Sequence, residues 1–481
     1  MRKISKTPPV QWIKMSVSMV LYLIFILWVK SWLGLILVPL IFDVYITKII
    51  NWSWWKSLKN SFFKSIMSWI DAIVFALVAV YFVNLFFFQN YTIPSSSLEK
   101  SLLVGDYLFV SKMAYGPRKP HTPLTMPLTQ HTMPLTKGKS YIEWPQWGYE
   151  RVKGFGNVKL NDIVVFNYPS GDTVTLNPIY QNMDFYGIAY ELGAGMCKPI
   201  DIESLSIIEQ RSVYNFYYKT GRSYIDRHSD VFGGVTSRPV DRRENYVKRC
   251  VGLPGQTIQI IDGTIYLDGK PNKQPENVQF NYIVELLKPI PLELRDRIGL
   301  SLEDLPAVDN RPGTKIFPLT QEAASILLLR NDLVAGVEKI VQPNGEWLFP
   351  LNKYTGWSGD NYGPVWIPSK GESINLTLEN LPFYERAIKV YENNSLEVLN
   401  NGSILINGQK AESYTFRMDY YWMMGDNRHN SADSRFWGFV PEDHIVGRPV
   451  LVWLSLNKDK TFGEKGKIRW NRMFRLVKNF N

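Results

Sequence analysis

The sequence predicts a mainly β domain, interrupted by large insertions, behind N-terminal transmembrane helices. The first observation is that apolar residues dominate the first 88 positions, where they form three long runs. The second is that the rest of the chain contains short apolar stretches bounded by polar residues and by turn-forming Asx-Gly pairs, as strands are. With 481 residues, 45% of them hydrophobic, the chain is long enough to bury a sizeable core.

The three apolar runs cover residues 15–29, 32–46 and 70–88. The first two have about 15 residues each, fewer than the ~20 that a straight transmembrane helix requires, whereas the third is long enough. Residues 1–66 contain nine lysines and arginines but only one acid, Asp43, and the basic residues cluster before and after the first two runs. By the positive-inside rule both clusters are cytoplasmic, which favours an apolar hairpin that turns near Lys30.

We therefore predict that residues 1–66 make two short membrane passes, that 67–89 form a transmembrane helix, and that the following chain is extracytoplasmic. One long, tilted first span is the alternative, and it would place the two basic clusters on opposite sides of the membrane. A cleavable signal peptide is not expected, because no small-x-small site follows the first apolar run.

The charge of the chain is concentrated in this membrane segment. The net formal charge is +10, and residues 1–66, with nine basic residues and one acid, account for +8 of it. A nucleic-acid partner is not expected, because it would require a basic patch on the folded domain. No cofactor or metal is expected either, since the five histidines are scattered and show no zinc spacing with the two cysteines. Cys197 and Cys250 could form one disulfide, but two free thiols are the expectation.

After residue 89 the sequence predicts a β core that two insertions interrupt. Strands are predicted at 106–110 and 162–166, and hairpin turns at Asp262-Gly263, Asp268-Gly269, Asn401-Gly402 and Asn407-Gly408. The core comprises 90–170, 244–271 and 415–460, with insertions at 171–243 and 272–414 and a basic tail at 461–481. The best helical patterns lie at 283–305 and 320–333. Residues 115–140 read as a long loop, and the tail fits an amphipathic helix on the membrane or on the domain.

A serine-rich turn at residues 94–97, Pro-Ser-Ser-Ser, directly follows the third apolar run. From residue 88 to Ser97 the chain reaches at most roughly 30 Å, so a nucleophile there would act close to the membrane surface. A serine hydroxyl needs a neighbouring base. His429 and His444 are candidates in principle, although neither lies in a recognisable triad setting. A buried lysine is the other candidate, because burial lowers its pKa and leaves part of it neutral.

Lys248 is the lysine that best fits this requirement. Strand alternation places it with Tyr246 and Cys250 on one face and Arg249 on the other, so Lys248 can point into an apolar groove. A lysine on a strand is nevertheless more often a solvated surface residue. A further polar cluster at residues 425–435, Gly-Asp-Asn-Arg-His-Asn-Ser-Ala-Asp-Ser-Arg, completes the candidate chemistry.

Four segments, in this order, resemble the sequence boxes of the bacterial signal peptidase I family. Residues 93–97 look like its nucleophile box, Pro-Ser-x-Ser-Met, and residues 161–166 are similar to its Gly-Asp-Ile-Val-Val-Phe strand. Residues 248–255 look like its lysine box, and residues 425–441 match its last box nearly residue for residue. Leu98 replaces the usual methionine and Asn161 a glycine, and both changes are expected to be tolerated because size or left-handed backbone is retained.

The resemblance implies that the mainly β domain is a catalytic domain with a signal-peptidase-like β fold and large insertions, and it implies a role for each matching position. Ser97 would be the nucleophile and Lys248 the general base, while the Ser97 backbone N–H and the Ser95 hydroxyl would form the oxyanion hole. Ser431 would hydrogen-bond the Lys248 amine and orient it. The other members of the last box would support the site: Asp433 and Arg435 as an ion pair, Asp426, Asn427 and Arg428 as the shape of the turn, with His429 a bystander.

The resemblance further implies a serine endopeptidase that removes N-terminal signal peptides from exported precursor proteins after small residues, in an Ala-x-Ala pattern. It would lie in the bacterial cytoplasmic membrane, with precursors, the bilayer and the secretion machinery as partners. One alternative is a membrane-anchored binding module without activity. The presence of Ser97, Lys248 and Ser431 argues against it, because an inactive relative would be free to lose them. Another is a self-cleaving or regulatory serine/lysine protease, which would lack the membrane anchor and the last box.

Overall fold

The computed structural model describes residues 7–480 apart from 182, 301–311, 344, 346 and 347. The chain divides into two compact units, Met1–Gln89 with Lys112–Gly156, and Asn90–Ser111 with Asn157–Asn481. The first contains the apolar helices and the second is mainly β. The predicted fold class, a mainly β domain behind N-terminal apolar helices, is therefore confirmed.

Two helices of the first unit, Pro9–Val29 and Ser61–Phe86, are long and apolar enough to cross a membrane. Between them the chain turns back at Lys30, whose φ is 53°. The Tyr22 hydroxyl donates to the carbonyl of Gly34 at 2.8 Å, so the returning segment lies against the first helix. That segment forms the short turns Trp32–Leu37, Val38–Phe42 and Asp43–Thr47, and Trp54–Ser57 follows. The turn at Lys30 is present, and the number of membrane passes stays a prediction.

The second of these helices begins where its sequence provides a cap. The Asn60 side chain accepts hydrogen bonds from the backbone N–H groups of Phe62 and Phe63, which typically stabilises a helix start by about 1 kcal/mol. An apolar run then continues to Phe86, where the chain passes into the strand Phe88–Thr92. Ser97 therefore follows the helix end by only eleven residues.

The second unit is built around one large sheet with mostly antiparallel strands. Its strand order is Phe88–Thr92, Asp106–Ser111, Ile445–Ser455, Ile163–Asn167, Asn245–Gly252, Tyr420–Met424 and Val440–Pro441, with Arg475–Leu476 paired to the third. The central strand Ile163–Asn167 is buried at every position, because the sheet is covered on both faces. Its β-branched residues suit that environment. The sheet places residue 248 opposite Val164 and next to the strand that leads into the 425–435 cluster.

The hairpins predicted from Asx-Gly pairs are confirmed. Thr257–Ile261 pairs with Thr264–Leu267 through Asp262 and Gly263, both with positive φ. Thr264–Leu267 in turn pairs with Lys270–Pro271. Leu396–Val398, Ile404–Ile406 and Gln409–Lys410 form the second set. Tyr362–Trp366 completes the first hairpin sheet, and Ser373–Asn375 pairs with Ser413–Thr415.

The stretch 171–243 is mostly helical. Helices Phe185–Met196 and Ile207–Arg227 pack against each other, with Ser229–Phe232 and the strand pair Val174–Thr175 and Val235–Thr236 beside them. The close approach depends on Gly193 and Gly221, since a Cβ at either would collide with a backbone carbonyl of the facing helix. A capping box of Ser206 and Glu209 begins the longer helix.

The stretch 272–414 contains a separate antiparallel sheet, ordered Gly313–Thr320, Gln279–Leu286 and Val334–Lys339, covered by helices Leu292–Ile298 and Gln321–Leu328. The helix predicted at 283–305 is wrong at its start, where the chain is the middle strand, and its end lies outside the described residues. The helix at 320–333 is confirmed over its first part. The tail forms a short strand and the turn Val477–Phe480 rather than an amphipathic helix. Leu381–Arg386 and Ser434–Trp437 are further short helices.

Candidate active site

The candidate nucleophile lies on a tight turn, Ser96–Leu98, that we call the nucleophile turn. Leu98 is 1% exposed and packs into the core of the large sheet beside Leu102 and Val110. Leu98, which stands where the resembling box has methionine, is thus a packing contact that anchors the turn to the core of the sheet. Ser97 is 8% exposed, while Ser95 is exposed. The hydroxyls of Ser95 and Ser97 are 3.5 Å apart, so they lie on the same side of the turn.

Lys248 reaches this turn from the strand Asn245–Gly252, which we call the lysine strand. Its Nζ atom lies 2.6 Å from Ser97 Oγ, and the side chain is only 3% exposed. Burial lowers the pKa of Lys248 to about 8; Asp433 opposes that shift and Arg435 adds to it. A substantial fraction of the amine is therefore neutral at mildly alkaline pH. A neutral amine at this distance can accept the proton of the serine hydroxyl.

The segment 425–435, which we call the last-box loop, is bonded to the nucleophile turn. The Asn427 N–H donates to the carbonyl of Ser97 at 3.1 Å. The Asn430 side chain donates to Ser96 Oγ at 3.0 Å. A Cβ on Gly425 would collide with Ser431 Oγ and with the Ser97 carbonyl, so a glycine is required where loop and turn meet. The loop thereby sets the position of the turn that carries Ser97.

Ser431 lies at this junction, but its predicted bond differs. Its hydroxyl donates to the carbonyl of Ala432 at 3.5 Å, and among the described residues it makes no hydrogen bond to Lys248. The predicted contact is therefore not formed here. Ser431 is nonetheless within the same close packing as Gly425 and Ser97.

Two buried ion pairs hold the last-box loop in shape. Arg435 donates to both carboxylate oxygens of Asp433, at 2.9 and 2.8 Å, and to the carbonyl of Arg428 at 2.6 Å. Asp426 accepts two bonds from Arg249, at 2.8 and 2.7 Å. Burial alone would raise the pKa of the Asp426 carboxyl, but the bonds from Arg249 outweigh it and leave that pKa below its ordinary value.

Three residues at the site were missed by the sequence reasoning: Arg249, Ser101 and Gln279. The Ser101 hydroxyl donates to Asp426 at 2.6 Å, and backbone bonds join Gln279 to Asp426 and Arg428. Strand alternation places Arg249 on the face opposite Lys248. A buried arginine on that face needs a carboxylate partner, and this requirement could have pointed to an acid such as Asp426. Nothing in the sequence pattern connects Gln279 to the loop.

The two histidines considered as bases are bonded to other groups. His429 Nε2 lies 2.9 Å from Asp360, and its Nδ1 accepts from the Asn281 N–H at 3.1 Å. His444 lies 2.6 Å from Asp443 and 3.0 Å from Arg243. Within the described ranges, no group of three or more His, Cys, Asp or Glu side chains could hold a metal ion, and Cys197 and Cys250 are both free thiols.

Comparison with known proteins adds a family match to this geometry. The model of the family described as signal peptidase, peptidase S26, matches residues 66–288 and 374–454, more than half of the chain. A signal peptidase I of Buchnera aphidicola from Baizongia pistaciae is 22% identical over 386 residues, 79% of this chain and 74% of the relative. Shorter matches to signal peptidase I of Buchnera aphidicola from Acyrthosiphon pisum and of Haemophilus influenzae are 53% and 48% identical. They cover 11% and 15% of this chain and only 17% and 20% of those relatives.

Proposed function

Because the chain belongs to the signal peptidase family, peptidase S26, we propose that it is a membrane-anchored signal peptidase I. Its reaction is the cleavage of N-terminal signal peptides from exported precursor proteins after small residues in an Ala-x-Ala pattern. The observation that carries the proposal is the buried 2.6 Å contact between Lys248 Nζ and Ser97 Oγ. Ser97 is the nucleophile and Lys248 the general base.

The reaction follows from this contact in two halves. Neutral Lys248 takes the proton of Ser97 Oγ as the oxygen attacks the scissile carbonyl. The developing oxyanion accepts hydrogen bonds from the Ser97 N–H and the Ser95 hydroxyl. The tetrahedral intermediate collapses, the C–N bond breaks, and Lys248 returns the proton to the leaving amine. That amine is the new N-terminus of the mature protein, which leaves at this point. A water molecule then gives a proton to Lys248 and attacks the acyl ester, the ester C–O bond breaks, and Lys248 returns the proton to Ser97 Oγ as the signal peptide leaves with a free carboxylate.

The remaining site residues support this pair and do not themselves react. Asp433 and Arg435 stiffen the last-box loop and set the charge near Lys248, and Asp426, Asn427 and Arg428 shape the turn that holds Ser97. Ser431 orients the amine when substrate is bound. Its hydroxyl is then to turn from the Ala432 carbonyl, to which it makes a long 3.5 Å bond here, toward Lys248. No cofactor takes part.

The protein acts at the bacterial cytoplasmic membrane, with the catalytic unit on the extracytoplasmic side. Eleven residues separate Ser97 from the end of helix Ser61–Phe86, which limits its distance from that end to roughly 40 Å. A precursor is itself held at the membrane by its apolar signal, so substrate and nucleophile share one surface. The secretion machinery is the partner that would deliver such precursors.

The test is cleavage of a purified precursor with an Ala-x-Ala site by the full chain in detergent. Ser97→Ala and Lys248→Ala are each expected to lose roughly 10⁴-fold or more in rate, since each removes an essential reacting group. Ser96→Ala is the matched control, because this neighbouring serine contacts Asn430 rather than Lys248. Cleavage by Ser97→Ala as fast as by wild type would point to another nucleophile, whereas no cleavage even by wild type would favour the binding-module hypothesis.

A further inference from the structure

The segment read from the sequence as a loop forms a distinct element of the first unit. Residues 121–147, which we call the apolar arm, are closed at their base by a bond from the Trp147 N–H to the His121 carbonyl at 2.9 Å. Further backbone bonds run across it, from Met126 to Ser140 and from Ile142 to Leu124. The arm thus satisfies much of its backbone internally, as a peptide in contact with lipid must.

The side chains of the arm are unusually apolar for their exposure. Leu135 is 95% exposed and Trp144 is 81% exposed, and Leu124, Met126, Leu128 and Ile142 are also exposed. Leu124, Met126 and Leu128 alternate with less exposed residues, so they lie on one face. These six exposed large apolar side chains within one 27-residue element are more than scattered surface residues, and such a concentration marks an interaction surface.

The arm is attached to the helices that anchor the protein in the membrane. Val152, just after the arm, packs between Val29 and Phe86, at the ends of the two long helices. The Tyr81 hydroxyl donates to the carbonyl of Pro123 at 3.3 Å. Tyr81 lies five residues before the helix end, so the start of the arm runs alongside the helix about 7 Å from that end.

The uncharged part of the helix extends to that end. Residues 72–86 contain no Asp, Glu, Lys, Arg or His, whereas Lys64 and Asp71 lie toward the other end. A position about 7 Å inside the helix end is therefore at the boundary between headgroups and acyl chains. The arm's own charges, Lys137, Lys139 and Glu143, limit its depth to this boundary.

From these contacts we propose that the apolar arm is a second membrane contact of this protein, which inserts Leu135 and Trp144 into the lipid leaflet next to the end of helix Ser61–Phe86. Its occupant is the bilayer that the helix would span, because the arm contacts that helix near its end, at Tyr81 and, through Val152, at Phe86. Trp144 suits the interfacial depth, and Lys137 and Lys139 can reach lipid phosphates from it.

The test measures the depth of single nitroxide labels on the full chain in lipid nanodiscs. Cys197→Ser removes the accessible thiol, and Cys250 is fully buried and does not take the label. Leu135→Cys and Trp144→Cys are labelled in turn, with Leu329→Cys as the control, a leucine 82% exposed in the second unit. All three side chains are exposed, so the labels do not disturb packing.

The arm positions are expected to shift their collisions from a water-soluble nickel complex toward oxygen, which concentrates in lipid, whereas Leu329→Cys favours the nickel complex. Nickel collisions at both arm positions as frequent as at Leu329→Cys would overturn the proposal. Because the readout is depth and not cleavage, the result is independent of the proposed peptidase activity.

Discussion

Two neighbouring cations on the lysine strand are both buried, but the two sides of the strand surround them differently. Arg249, 1% exposed, faces a carboxylate that accepts two of its hydrogen bonds. Lys248, 3% exposed, faces a serine hydroxyl, and no carboxylate within the described residues lies at ion-pair distance from it. The fold therefore stabilises the permanent charge of Arg249 on one side of the strand, and on the other side it favours loss of the proton from Lys248.

The largest test of this comparison exchanges the two cations. Lys248→Arg is expected to reduce precursor cleavage by roughly 10⁴-fold, because a guanidinium does not deprotonate in this pH range and cannot act as a base. Arg249→Lys retains a cation opposite Asp426 and is expected to keep measurable cleavage. Both are measured as kcat/KM with the same precursor. Substantial activity in Lys248→Arg would show that the base lies elsewhere.

The next test removes the carboxylate on the Arg249 side. Asp426→Ala leaves a buried, unpaired guanidinium and is expected to lower the free energy of unfolding by about 3–5 kcal/mol. The double variant Arg249→Met with Asp426→Leu removes both charges and is expected to lose less than the single variant. Thermal or denaturant unfolding of each variant in detergent provides the measurement. A loss in the double variant as large as that in Asp426→Ala, or larger, would mean that the unpaired charge is not the cause of the destabilisation.

The third test asks what the Lys248 side costs in stability. Folding lowers the pKa of Lys248 from an ordinary value of 10.5 to about 8, so the protonated lysine destabilises the folded state. This cost is complete below about pH 8, fades as the pH rises toward 10.5, and is absent above it. Lys248→Met is therefore expected to raise the free energy of unfolding by roughly 3 kcal/mol at pH 7.

The control for that prediction is the same variant at high pH. The gain is expected to shrink progressively between pH 8 and pH 10, because the folded lysine is then neutral and its deprotonation costs less as the pH approaches 10.5, the pKa of the unfolded lysine. A gain that stays constant over this range would assign the effect to packing and not to the charge.

The parts of the fold and site that the sequence predicted are those with local signals. Asx-Gly pairs specify a hairpin within four residues, and alternation along the lysine strand separates Lys248 from Arg249 without knowledge of any partner. The order of the family boxes then points to Ser97. In each case the information lies within a short stretch of chain.

What the sequence could not predict depends on contacts between distant residues. Arg249 meets Asp426 across 177 positions, and Gln279 joins the last-box loop by backbone bonds that carry no side-chain signature. Residues 283–286 were assigned to a helix because short apolar runs fit both periods, whereas two flanking strands make them β here. The hydrogen-bond partner of Ser431 likewise depends on the side-chain rotamer of that serine, which the sequence pattern of the last box does not specify.

The most direct test of the serine/lysine account is the pH dependence of kcat/KM for precursor cleavage between pH 6 and 10. This quantity reports ionisations of the free enzyme and substrate, and the neutral amine of Lys248 is the active form. The account predicts activity that rises with pH through an apparent pKa of about 8. A profile that is flat over this range, or one that rises only near pH 10, would contradict a buried Lys248 as the base that activates Ser97.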